Sequence, residues 1–320
     1  MTEPVAAQEA DDRSAVERFG PEIAQIVVVL LWASTFIVSK AIFTEVPPMP
    51  YIVIRFVLMT GLAFGVMLLR QPKGRRGIER VDLWRFIAVA VTGYTIYQLT
   101  FVFGLERTSA FSSSLLVAMV PLFTVLITTA MGEPTPGRAW VGLAIAICGA
   151  GIFLWDKRGM GGGTLVGDGL SLLAAVAFAA YGVLARPLVV KYPADTYTAW
   201  TILLGSIPLA LIGMPATLRF DWREPSLLAW VGIIWMVIFP VYVAYQLWNW
   251  AIKMRGVGPA TAFGLMVPVA SGLLSWLIFG ETFGFWKILG GTLVLLGLAV
   301  VRLPIAQMVR SRRRVGGVGT

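Results

Sequence analysis

The chain has 320 residues, 58% of them hydrophobic and only 13% charged, with a formal net charge of +9. Soluble domains carry about 25% charge, so this composition excludes a water-soluble monomer and points to lipid as the solvent. There is no histidine and a single cysteine, Cys148, which argues against an internal disulfide, a zinc site and an imidazole proton relay.

Residues 1–22 are polar and acidic, with Glu3, Glu9, Asp11, Asp12, Glu17 and Glu22. They lack the basic start and early cleavage site of a secretory signal peptide, so a disordered cytoplasmic tail is expected, with the first helix retained. A membrane helix needs about 20 mostly apolar residues. On that rule ten segments follow, near 23–43, 50–69, 83–104, 109–131, 137–155, 167–186, 194–214, 227–252, 260–279 and 285–303. Proline, glycine or charge marks the breaks, as at Pro47-Pro48, Gly132-Glu133-Pro134 and Gly159 to Gly163. The chain ends in a basic tail over 304–320.

Lysine and arginine set the direction. With the N-terminus placed inside, eighteen of the 26 fall on the inner side, seven fall on the outer side, and Arg55 lies within the second span. Both termini are therefore expected in the cytoplasm. The basic runs from Arg70 to Arg85 and from Arg310 to Arg314 read as topology signals that touch anionic headgroups, not as a nucleic-acid surface.

The chain repeats itself. Tyr94-x-x-Tyr97-Gln98-Leu99 returns 148 residues later as Tyr242-x-x-Tyr245-Gln246-Leu247, and Arg107 returns as Arg255. Met119-Val120-Pro121 returns as Met266-Val267-Pro268, and Gly132-Glu133 as Gly280-Glu281. Trp32-Ala33 with Lys40 matches Phe178-Ala179 with Arg186. The expected fold is an all-α membrane protein of ten transmembrane helices in two repeats, 23–155 (helices 1–5) and 156–303 (helices 6–10). Five spans is an odd number, so the second repeat enters from the opposite side. Inverted repeats of this kind are an architecture of secondary transporters, with the substrate site between the halves.

Several marks, in this order, resemble the EamA-like family of the drug/metabolite transporter superfamily. They are Leu31-Trp32-Ala33-Ser34-Thr35-Phe36 running to Lys40, Arg55-Phe56, Thr108-Ser109-Ala110, and the Met-Val-Pro and Gly-Glu pairs of both halves, the second introduced by Pro259-Ala260. The resemblance covers about 23–303. It implies a ten-helix exporter of small metabolites in the bacterial inner membrane, and the sequence looks closest to amino-acid exporters, including those for aromatic amino acids. The chain departs from twofold equivalence at Arg55, which has no basic counterpart in the seventh span, where position 203 is Leu203.

Polar groups within hydrocarbon are candidate functional sites. On a regular helix Tyr94, Tyr97 and Phe101 share one face, as do Tyr242, Tyr245 and Asn249. Gln98 and Gln246 lie beside these faces and supply donors and acceptors. Opposed across an axis, they make an aromatic pocket with amide hydrogen bonds; the competing reading makes them interfacial tyrosines and amides that glue helices together. Trp32, Phe36, Tyr181 and Met266 are further candidates for the lining, against simple packing. Pro121 and Pro268 lie near the middle of spans, as hinges or static kinks. Lys40 and Arg186 end equivalent spans on opposite sides, as gates or as cations favoured by the helix dipole. Arg55 meets an anionic substrate group or pairs with Glu45 or a carbonyl.

No span has an aspartate or glutamate near its middle, so carboxylate-coupled antiport is not supported. Neither a cofactor nor a metal is expected. The expected partners are a small-molecule substrate and the bilayer. Nucleoside, drug or sugar-phosphate transport is the alternative substrate reading, although phosphate would want several cations at depth. A membrane-embedded enzyme, lacking H-E-x-x-H and any acidic cluster, or a non-transporting receptor is more distant.

Overall fold

The computed structural model describes residues 3–155, 164–255 and 263–302. Among them all regular structure is helical. The Gly159 to Gly163 break, Pro259-Ala260 and the basic tail 304–320 lie outside the described residues.

Helix α1 runs over Glu3–Ile42, so residues 3–22, expected as an irregular tail, continue the helix instead. Ala6, Ala7, Glu9 and Ala10 are good helix formers, and Pro21 within α1 sacrifices only one backbone donor. Helix α2 spans Pro48–Arg70, with Pro48 in its first turn, where a missing N–H costs nothing. Helix α3 covers 83–107 as Leu83–Ala90, a π-helical stretch Val91–Ile96, and Tyr97–Arg107. Helix α4 covers Ala110–Ala130 and is broken at Ala118 and Met119. Its start is capped by the Ser109 hydroxyl, which accepts from Ser112 N at 3.1 Å. Helices α5 (Gly137–Trp155), α6 (Leu165–Lys191) and α7 (Ala194–Arg219) follow. Helix α8 covers Leu227–Met254, with a π-helical stretch Phe239–Val243. Helices α9 (Met266–Phe279) and α10 (Phe285–Arg302) close the chain.

Among the described residues, eight helices, α1 to α8, are long and apolar enough to cross a membrane; α9 and α10 are shorter apolar helices. Part of the ninth expected span, 260–262, falls outside the described residues.

The repeat seen in sequence returns as geometry. The two π-helical stretches begin at Val91 and Phe239, the same 148 residues apart as the Tyr-x-x-Tyr-Gln motifs. Their chemistry is matched too. Pro240 has no N–H to give to the carbonyl four residues back. At the equivalent position, the Thr92 hydroxyl donates to Ala88 O at 2.7 Å. The break in α4 precedes Pro121, and a turn at Leu265 precedes Pro268. Gly132 (φ 87°) and Gly280 (φ 64°) are the described residues with positive φ, and both open a Gly-Glu pair after a helix end. A side chain there is strained, which explains why glycine occupies both turns.

In lipid, helices gain little from hiding apolar surface and associate through close packing of small residues. The most extensive helix pairing is α5 against α10, and glycines form its seam. A Cβ on Gly142 would lie 2.6 Å from Gly297 O, and one on Gly149 would lie 2.8 Å from Gly290 O. These helices are antiparallel. Gly290 and Gly297 are the counterparts of Gly142 and Gly149 at the 148-residue spacing, so each contact is the image of the other. Helices α2 and α7 pair in the same antiparallel way, with Thr60 and Ser206 hydroxyls 3.1 Å apart at the centre. The main core cluster gathers Phe36, Tyr51, Phe56, Phe101, Ile202 and Met236 from both halves.

Candidate functional site

Of the ring pairs that join one half to the other, two are equivalent under the repeat. Tyr97 of α3 packs on Phe178 of α6 with centroids 4.9 Å apart. Tyr245 of α8 packs on Trp32 of α1 at 5.8 Å. Phe178 is the counterpart of Trp32, and Tyr245 that of Tyr97, so these are one contact made twice. Tyr94 stands edge-on to Tyr181 at 5.7 Å and to Phe56 at 6.3 Å. Tyr197 Oη donates to Tyr181 Oη at 3.3 Å. Phe178 also packs on Tyr181 at 5.4 Å, so Tyr94, Tyr97, Tyr181 and Tyr197 belong to one connected series of rings. Tyr245, beside Trp32 of α1, is 47% exposed.

The expected shared face of Tyr94, Tyr97 and Phe101 is altered by the π-helical stretch, which ends just before Tyr97. The wider turn re-aims Tyr94 relative to Tyr97; insertions of this kind are frequent at functional sites. Thr95 Oγ1 fixes the stretch by donating to Gly205 O on α7 at 2.9 Å. Tyr97 still stacks on Phe101, at 5.7 Å.

The polar candidates divide. Gln98 is buried, and its Nε2 has no partner among the described residues. Its counterpart Gln246 is exposed, as is Asn249. Tyr242 lies under the Arg70 guanidinium, at the end of α2, at 5.8 Å. Arg55 is only 6% exposed, and its Nε and Nη1 have no partner among the described residues. The pairing of Arg55 with Glu45 is not formed, because Glu45 accepts from Ser226 N at 2.6 Å and Ser226 Oγ at 2.9 Å. The Arg55 guanidinium instead lies 5.9 Å from the Tyr51 ring.

The other candidates sort as follows. Trp32 donates from Nε1 to Pro240 O at 3.2 Å and touches Trp248 at 5.0 Å, so it ties α1 to the π-helical stretch of α8 as well as flanking Tyr245. Phe36 is core, buried and edge-on to Phe101 at 5.5 Å. Met266 is 49% exposed at the start of α9 and is not in the ring cluster. Pro121 begins a new helical segment after a break, where proline is favoured, and does not kink a continuous helix; Pro268 follows its turn in the same manner. Lys40 caps a neighbouring helix end, donating to Thr108 O and to Leu105 O (3.5 Å). Arg186 pairs with Glu133 at 2.5 Å.

One residue of this cluster went unnoticed in sequence. Tyr197 is the counterpart of Tyr51 at the 146-residue spacing that relates Trp32 to Phe178. The same register places Thr201, not Leu203, opposite Arg55. Thr201 is buried and bonds back to Tyr197 O at 2.8 Å.

The EamA-like transporter family model matches residues 21–155 and, a second time, residues 165–303. The chain belongs to this family. It is a membrane transporter of the EamA, drug/metabolite type. Among curated relatives, the uncharacterized transporter YetK of Bacillus subtilis is 22% identical over 288 residues, covering 89% of this chain and 87% of the relative. An uncharacterized transporter of Archaeoglobus fulgidus is 25% identical, covering 87% of this chain and 97% of its own. A probable terminal-alkyne amino-acid exporter of Streptantibioticus cattleyicolor is 23% identical, covering 87% and 92%. A crystal structure superposes with a TM-score of 0.61 at 20% identity over 92% of this chain and 98% of that one; this likeness concerns the fold alone. The double match of the EamA-like family falls on the same two halves that the ring pairs connect.

Proposed function

We propose that this EamA-like transporter exports amino acids, aromatic ones included, across the bacterial inner membrane by alternating access. Ten helices would form two inverted halves with both termini in the cytoplasm. The antiparallel, self-matching seams of α5 with α10 and α2 with α7 favour inversion, because equivalent helices can pair this way only when the halves point in opposite directions. Two similar halves in opposite orientation have two conformations of similar energy, one open to each side. The substrate would sit between them, against Tyr94, Tyr97, Tyr181 and Tyr245.

One observation carries the reading: the same aromatic contact is made twice across the halves, Tyr97 on Phe178 and Trp32 on Tyr245. A wall of rings with a phenolic lining suits a small solute that has an apolar body and polar ends. The name of the Streptantibioticus relative points to the same substrate class. Sugar-phosphate exchange is disfavoured because, among the described residues, Arg55 is the one buried basic side chain.

The test is flux. Purified protein in liposomes loaded with labelled amino acids, nucleosides or amines is expected to release aromatic amino acids faster than protein-free liposomes. Release of nucleosides alone would replace the amino-acid reading.

A further inference from the structure

Resting on that function, the geometry points to Arg55 as the group that binds the substrate's carboxylate, in a chamber that reads carboxylate and ring but not ammonium. The chamber then takes aromatic monocarboxylates whether or not they carry an amine.

Arg55 is nine-tenths buried and presents Nε and Nη1 without a partner. They lie on different edges of the planar guanidinium, so a carboxylate engages either one in a fork shared with Nη2. A buried charge without a partner costs several kcal/mol, so the site is completed by an acceptor the described chain does not supply. Gln98 adds a second buried donor, Nε2, also without a partner. Both groups seek acceptors. Phe56, next to Arg55 in α2, stands edge-on to Tyr94 at 6.3 Å, which brings this part of α2 to the ring cluster that would hold the substrate's apolar body.

Among the described residues, the carboxylates of the helices and their connections stand away from the middle of α2 and α3. Glu45, the carboxylate nearest in sequence to α2, is engaged by Ser226. Glu106, Glu133, Asp168 and Glu281 stand at helix ends or just beyond them. Asp168 accepts from Thr108 Oγ1 at 2.6 Å. A solute with an ammonium and no carboxylate would place one cation near another, which is disfavoured most strongly where water is scarce. A carboxylate without an amine would lose nothing comparable.

The experiment uses the full chain in liposomes loaded with labelled phenylalanine. Exchange is driven by external phenylalanine, phenylpyruvate, phenylethylamine or phenylalaninamide. Phenylpyruvate is expected to drive exchange within about threefold of phenylalanine, and the two carboxylate-free compounds at least about tenfold less. Arg55→Gln is expected to lose at least about tenfold in exchange, and Arg55→Lys less, because the charge remains while the fork is lost. The wild-type panel keeps the inference testable even if Arg55→Gln does not fold. If phenylalanine exchanges but phenylethylamine matches it, or phenylpyruvate is inert, the carboxylate reading falls and amino-acid transport stands. If phenylalanine itself does not move, both fall.

Discussion

In the first half Gln98 is buried with an unpartnered amide nitrogen, while in the second half its counterpart Gln246 is exposed. The same inequality runs through other pairs. Lys40 caps the end of α3 through Leu105 O and Thr108 O, whereas Arg186 forms an ion pair with Glu133. Glu281, the counterpart of Glu133, accepts instead from Ala110 N at 3.3 Å. The helix seams and the π-helical stretches obey the repeat, but these polar pairs do not. Under the proposed alternating access, such unequal surroundings belong to one conformation, and the other would exchange them.

The largest effect should come from the seam both halves share. A side chain on Gly149 has no room beside Gly290 O and Val294 N. Gly149→Leu is therefore expected to cost about 3 kcal/mol and to leave little monodisperse protein after detergent extraction. Gly151→Leu, with nothing within 4 Å of its Cβ, should extract like wild type. Equal loss in both would mean that the α5–α10 contact is not special.

Next come the amides. Gln98→Ala is expected to lower flux more than about tenfold, while removing a buried unpaired donor leaves stability unchanged or raises it by up to about 1 kcal/mol. Gln246→Ala should lower flux comparably, since each amide would face the chamber in one of the two conformations. Liposome flux with thermal melting of the same preparations checks both. A silent Gln246→Ala beside a dead Gln98→Ala would break the exchange of roles.

The smallest effect belongs to the ends. Arg186 and Glu133 keep side-chain exposures of 51% and 46%, so solvent and salt screen the pair. Glu133→Gln is expected to cost under about 1 kcal/mol and to change flux less than about threefold, with the remaining ionic-strength dependence reduced. A larger loss would assign the pair a part in gating.

Much of this was legible in sequence for a physical reason. Lipid demands long apolar runs, and those runs locate α1 to α8. The Tyr-x-x-Tyr-Gln and Gly-Glu pairs exposed the repeat because their residue types are uncommon in hydrocarbon. The π-helical stretches were not legible. A widened turn leaves no mark in hydrophobicity, and Thr92 does by hydroxyl what Pro240 does by lacking a donor. The breaks before Pro121 and Pro268 read as kinks because proline alone does not say whether it bends a helix or begins one. Of the partners open to Arg55, Glu45 is favoured by nearness in chain alone, and Ser226, distant in sequence, holds that carboxylate. The glycine seam was visible in principle, as Gly142 and Gly149 recur as Gly290 and Gly297.

The central claim is that the halves trade surroundings about one chamber, and thiol accessibility tests it most directly. In a Cys148→Ser background, Gln98→Cys and Gln246→Cys would be labelled in membranes with a small water-soluble thiol reagent, with and without saturating substrate. The account predicts fast labelling at 246 and slow labelling at 98 in resting protein, with the two rates converging when substrate drives turnover. Rates that keep their ratio whatever the substrate would contradict it.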